Sequence, residues 1–130
     1  MTPIFQTRFS SPGVHGNCFL ACVSSITGIP LEVIDHIDGS KQNWFQLLYP
    51  ILWDNGFSYV GTLTKDEEIL SYTPGIDGYY IIGGESPRGV PAGHAVVFKE
   101  GLMVHDPHPD GTGILSLDCA YMIERREWME

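Results

Sequence analysis

The stretch KQNWFQLLYPILWDNGFSYVGTL, residues 41–63, changes its hydrophobic period halfway along. Up to Trp53 its large apolar residues recur at helical spacing, and Trp44, Phe45, Tyr49 and Trp53 are expected to form a core stripe. Pro50 is expected to kink or split that helix, and Asn55 with Gly56 to end it. From Phe57 the pattern becomes that of a short strand.

Upstream of this switch the chain reads as helix. NCFLACVSSITG (17–28) has Asn17 as a plausible N-cap, a wide apolar face and Gly28 as a stop, and IPLEVIDHI (29–37) starts a second short helix. Downstream, GYYIIGG, HAVVF, LMVHD, GILSL and YMIER read as strands separated by turn residues, with a small helix at KDEEILSY. Helices first and strands afterwards predict one α+β domain over 1–130, with a helical part at about 17–55 packed on a mainly antiparallel β-sheet at about 57–127.

The composition suits such a domain: 130 residues, 43% hydrophobic and 18% charged, with no repeat or low-complexity tract. Seven Lys and Arg against sixteen Asp and Glu leave a charge of −9, which repels phosphate backbones and anionic lipid, so no nucleic acid and no membrane partner are expected. Cys18, Cys22 and Cys119 are an odd number, so no disulfide framework can use all of them, they include no CxxC pair, and the N-terminus lacks a secretory pattern. Both point to a cytoplasmic protein.

GHAVVFKEGLMVHDPHP (93–109) reads as a hairpin carrying chemistry at its open end. A three-residue connection Lys99-Glu100-Gly101 would set Phe98 against Leu102, Ala95 against His105 and His94 against Asp106. Opposed residues share a face with Cβ atoms about 4.5–5.5 Å apart, so the Asp106 carboxylate could orient the His94 imidazole while His105 faces away. Cys18 is a candidate nucleophile, because at a helix start the unpaired N–H groups and the helix dipole favour a thiolate. Spacing alone does not bring Cys18 to the hairpin.

GNCFLACVSSITGIPLEVI, GGESPRGVPAGHAVV and MVHDPHP together resemble the papain-like cysteine peptidase superfamily in its compact bacterial form, of which the bacteriocin leader peptidases are the nearest parallel. They also resemble a set of short phage and bacterial proteins. The resemblance spans residues 6 to about 109 and implies a papain-like fold, with Cys18 as nucleophile, His94 as base and Asp106 as the orienting residue. The family's oxyanion hole takes a Gln amide from a few residues before the nucleophile, whereas the window here is SSPGVHG. Gln6 or Asn17 is then the side-chain donor, beside the Cys18 backbone N–H. Phe19, where the family often has a small residue, narrows the pocket.

Arg88, in the Gly- and Pro-rich loop before His94, is a candidate for holding a substrate carboxylate. Cys22 and Cys119 read as structural, His15 as a loop residue and His36 as a helix-surface residue. His105, His108 and Asp110 match no named zinc spacing, so no metal and no cofactor are expected. The leading expectation is a cysteine hydrolase acting through an acyl-enzyme on a peptide or protein, in a bacterial cell or phage-infected host. The alternative is a catalytically inactive papain-fold protein that binds a host protein. The oligomeric state is left open.

Overall fold

The computed structural model describes residues 1–11, 14–38, 41–89 and 93–126. Parts of the SSPGVHG turn (12–13) and of the loop before His94 (90–92), and the end of the expected sheet part (127), lie outside the described residues.

Among the described residues four α-helices and five strands follow one another as α1 (Cys18–Thr27), α2 (Leu31–Ile34), α3 (Trp44–Asp54), β1 (Phe57–Leu63), α4 (Asp66–Tyr72), β2 (Tyr79–Gly84), β3 (His94–Lys99), β4 (Leu102–His105) and β5 (Cys119–Arg125). The strands form one sheet in the order β1-β5-β2-β3-β4, every pair antiparallel. The domain is α+β with its first three helices ahead of the sheet. Among the described residues no helix is long and apolar enough to cross a membrane.

Strand alternation sorts the core into two layers. Ile81, Ala95, Val97 and Ile123 pack with the helical residues Leu20, Val23, Ile34, Leu48 and Leu52. The intervening residues Tyr80, Ile82, Val96 and Ala120 pack against Ile69 of α4 on the other side. α1 lies on β3 and β2, and α3 on β1. Gly28 ends α1 in the left-handed conformation at φ 77°, its N–H bonded to Ser24 O at 2.9 Å.

Three expectations are corrected. α3 runs unbroken through Pro50, which stands on an exposed face, so the Gln46 carbonyl that loses its helical donor is open to solvent. The aromatic stripe of α3 is half-buried, and the fully buried positions are Leu48 and Leu52. GILSL forms no strand: segment 113–118 bonds to the end of β2 through Leu115 N to Glu85 O, Glu85 N to Ser116 Oγ and Asp118 N to Gly83 O, while Ile114 and Leu117 pack against the core of Tyr80 and Ile82. Its backbone comes so close to Gly84 that a Cβ there would lie 1.9 Å from Ser116 O.

The hairpin register also differs from the expected one. Lys99 pairs with Leu102 across a two-residue turn, Glu100-Gly101, both at positive φ (54° and 80°), the signature of a type I′ turn. A β-bulge then shifts the ladder, so that Phe98 pairs with Met103 but Val97 with His105. The shorter turn and the bulge each displace the partner strand by one residue in the same sense. Their combined shift is even, and Asp106 keeps the side of the sheet that the simpler register assigned to it.

Candidate active site

Cys18 opens α1, whose buried face fixes the helix against β3 and β2. His94 is the first residue of β3, and Asp106 follows the last residue of β4. His94 Nε2 is 2.6 Å from Asp106 Oδ1, with both side chains almost fully buried, and Cys18 lines the same two cavities as His94, near enough to favour the protonated ring. With Nε2 on the carboxylate, Nδ1 is the ring nitrogen left for sulfur. Helix start, strand start and strand end thus supply one linear relay.

Asp106 is held as rigidly as the ring it orients. Oδ1 also accepts the His108 N–H at 2.9 Å, and Oδ2 accepts the Gly113 N–H at 2.8 Å. Burial alone would raise its pKa, but His94 and these two N–H groups outweigh it and lower the value below 3.8. For His94, burial pushes towards the neutral ring, yet Asp106 and Cys18 overcome it and raise the pKa to about 9. Both shifts favour an imidazolium–carboxylate pair at neutral pH.

The N-terminal segment straps this arrangement in place. Ile4 N donates to Ser25 Oγ of α1 at 2.9 Å, while its carbonyl meets His105 Nε2 at 2.7 Å. Gln6 N donates to Pro107 O at 3.0 Å. Asn17 occupies the N-cap position but makes no side-chain cap bond. Its Oδ1 accepts Thr7 N and Arg8 N at 3.0 and 2.9 Å, and its Nδ2 donates to Thr7 Oγ1 and Asp35 Oδ1 at 2.9 and 3.0 Å. Its donors are committed to Thr7 of the strap and to Asp35 at the end of α2 and leave nothing for an oxyanion, which corrects that expectation for Asn17.

Gln6 is buried and lines a small cavity of about 190 Å³ together with Cys18, His94 and His108. One N–H of its amide goes to Arg8 O at 3.0 Å, and Oε1 has no partner. Arg88 borders the same cavity but is held by Asp110 at 2.9 Å and Thr112 at 3.0 Å, so it latches two loops together where a substrate contact was expected. Asp110, bonded to Thr112 N–H and then to Arg88, has its pKa lowered to about 2. His105 and His108 point to separate partners, Ile4 O and the Asp110 backbone. Among the described residues no three His, Cys, Asp or Glu side chains are placed to hold a metal ion.

A larger open cleft of about 810 Å³ lies against Cys18 and His94. Phe19 forms its wall with Trp44 and Tyr121, at centroid distances of 5.3 and 4.9 Å. The exposed loop residue His15 lies on its border. Cys119 also lines it, 3.2 Å from the Tyr121 hydroxyl, so it is a cleft residue and not a core one. Strand alternation puts Cys119 and Tyr121 on one face, a signal present in the sequence, but only the β2–β5 pairing brings that face to Cys18. Cys22, one turn deeper in α1, is fully buried, and that burial drives its thiol pKa well up.

No protein-family model, curated protein or solved structure matches the chain.

Proposed function

We propose that the protein is a cysteine hydrolase with a papain-like arrangement, acting through an acyl-enzyme on an amide or related acyl bond of a peptide or protein. The observation that carries this reading is the grouping of Cys18, His94 and Asp106, in which one imidazole is hydrogen-bonded to a buried carboxylate and shares its cavities with a helix-start thiol. Sγ attacks the carbonyl carbon as the C–N bond breaks, and His94 gives its proton to the departing amine. Water then adds to the thioester with His94 as base, releasing a carboxylic acid and restoring the thiol. Cys18 is the first residue of α1, so its N–H has no intrahelical partner and can meet the developing oxyanion. A reducing cytoplasmic setting suits the three free cysteines.

An electrophilic thiol probe tests this directly. Cys18 should label selectively near neutral pH, and His94→Ala should abolish that selectivity. Labelling of Cys18 no faster than Cys119 would remove the hydrolase reading and leave a binding protein with the same cleft.

A further inference from the structure

The cleft has a chemistry of its own beyond the relay. Its volume of about 810 Å³ is that of a site for a small ligand or a peptide side chain. One wall is the edge-to-face group Phe19, Trp44 and Tyr121. The floor is open because β2 has Gly83 there: a Cβ at that position would lie 3.2 Å from Cys119 Sγ and 3.6 Å from the Tyr121 ring.

Apart from His94, whose charge is paired with the buried Asp106, the charged groups on the cleft are of one sign. Glu85 and Asp118 line it, both exposed, and among the described residues neither is in an ion pair. Among the described residues no Lys or Arg lines it. Most of the chain's few basic groups are engaged elsewhere: Arg8 with Asp35, Arg88 with Asp110, Lys99 over Tyr79, Arg125 over Phe57 and Arg126 over Trp53. An aromatic wall beside unpaired carboxylates fits a side chain with an apolar stem and a cationic head.

We propose that this cleft binds a polypeptide segment through a lysine or arginine side chain, its stem against Phe19, Trp44 and Tyr121 and its cation facing Glu85 and Asp118. This deepens the hydrolase reading by naming the class of substrate, and rests on that reading for the bond that is broken.

Binding and cleavage are separated by measuring both. Three N-acetyl tripeptide amides, identical except for a central Lys, norleucine or Glu, are titrated into the full-length Cys18→Ala protein and followed by NMR shifts. The Lys peptide should bind about tenfold more tightly than the Glu peptide and a few-fold more tightly than the norleucine peptide. Glu85→Gln with Asp118→Asn should bring the Lys-to-norleucine ratio to about one. Equal affinity for Lys and Glu, absence of binding by all three, or a ratio untouched by the double variant would each overturn the proposal. The same peptides incubated with the unaltered protein read cleavage, so selective binding without cleavage would sink the hydrolase reading alone.

Discussion

The two ends of the β3–β4 hairpin are built on opposite plans. At the turn end, Lys99, Glu100, Gly101 and Leu102 are open to solvent or partly so, and backbone conformation sets the geometry. At the open end, His94 and Asp106 are buried, and the geometry depends on partners from α1, the N-terminal strap and the 107–113 loop. A local rule governs one end. The other is held by contacts between segments far apart in sequence, so substitutions there should have much larger effects.

The largest effect is expected on the relay. If the proposed hydrolase reading holds, Cys18→Ser or His94→Ala should reduce acyl-bond hydrolysis by about a thousandfold or more, measured as kcat/KM on a cleaved peptide, because a nucleophile and its proton carrier act as a unit. Circular dichroism should show the Cys18→Ser fold unchanged, since that side chain is only half-buried. A retained rate would remove Cys18 or His94 from the chemistry.

Next comes the close approach beside the site. Gly84→Ala places a Cβ against the backbone carbonyl of Ser116, an atom that cannot swing aside. A loss of about 3 kcal/mol or more is expected in urea unfolding. A loss below about 1 kcal/mol would mean that the 113–118 segment yields easily, and that the open end is less rigid than its contacts imply.

Asp106→Asn separates orientation from charge. The His94 pKa, observed by NMR titration, should fall from about 9 back towards 6.5. Stability should follow with opposite signs at the two edges. The lowered Asp106 pKa adds stability that is present above the ordinary Asp range and is lost as pH falls through the lowered value. The raised His94 pKa adds stability that is full below 6.5 and is lost as pH rises through about 9. The stability gap between the native protein and the variant should therefore be widest at neutral pH and narrow on both sides. A pH-independent gap would show that packing, not ionisation, is what Asp106 provides.

The turn end should give the smallest response. Glu100 is the only non-glycine residue at positive φ among the described residues, and asparagine tolerates that conformation better. Glu100→Asn should raise stability by a few tenths of a kcal/mol, up to about 1, without changing thiol reactivity at Cys18. A change in that reactivity would show the two ends to be coupled.

Much of the fold is legible in the sequence because the signals are local. The change of period at Phe57, the stop at Gly28 and the short apolar runs of β2, β3 and β5 each depend on neighbouring residues alone. GILSL misleads for the same reason. Its alternation suits a strand, but a strand needs a partner edge in register, and this segment meets β2 at only a few backbone groups. The stripe of α3 misleads similarly, since helical spacing marks a face without saying what covers it.

Within the candidate site, residue types and the His94–Asp106 pairing are suggested by the hairpin pattern, though through a register the protein does not use. The bulge and the type I′ turn each shift the expected register by one residue in the same sense, an even total that keeps the face, and no local preference reveals a shift that becomes visible only when β4 is paired. The same holds for Cys119, which a strand pattern puts on a face but which only the β2–β5 ladder places in the cleft. The sequence by itself determined the elements, their order, the acidic charge and the chemical groups on offer, because these follow from composition and near-neighbour geometry. Tertiary structure alone decided that Cys18 meets His94, that Asn17 is committed to the strap, that Arg88 is latched to Asp110, and which side chains line the cleft. Those outcomes depend on long-range packing between segments, where burial and hydrogen-bond satisfaction across the whole core choose among arrangements that short-range pattern leaves equivalent.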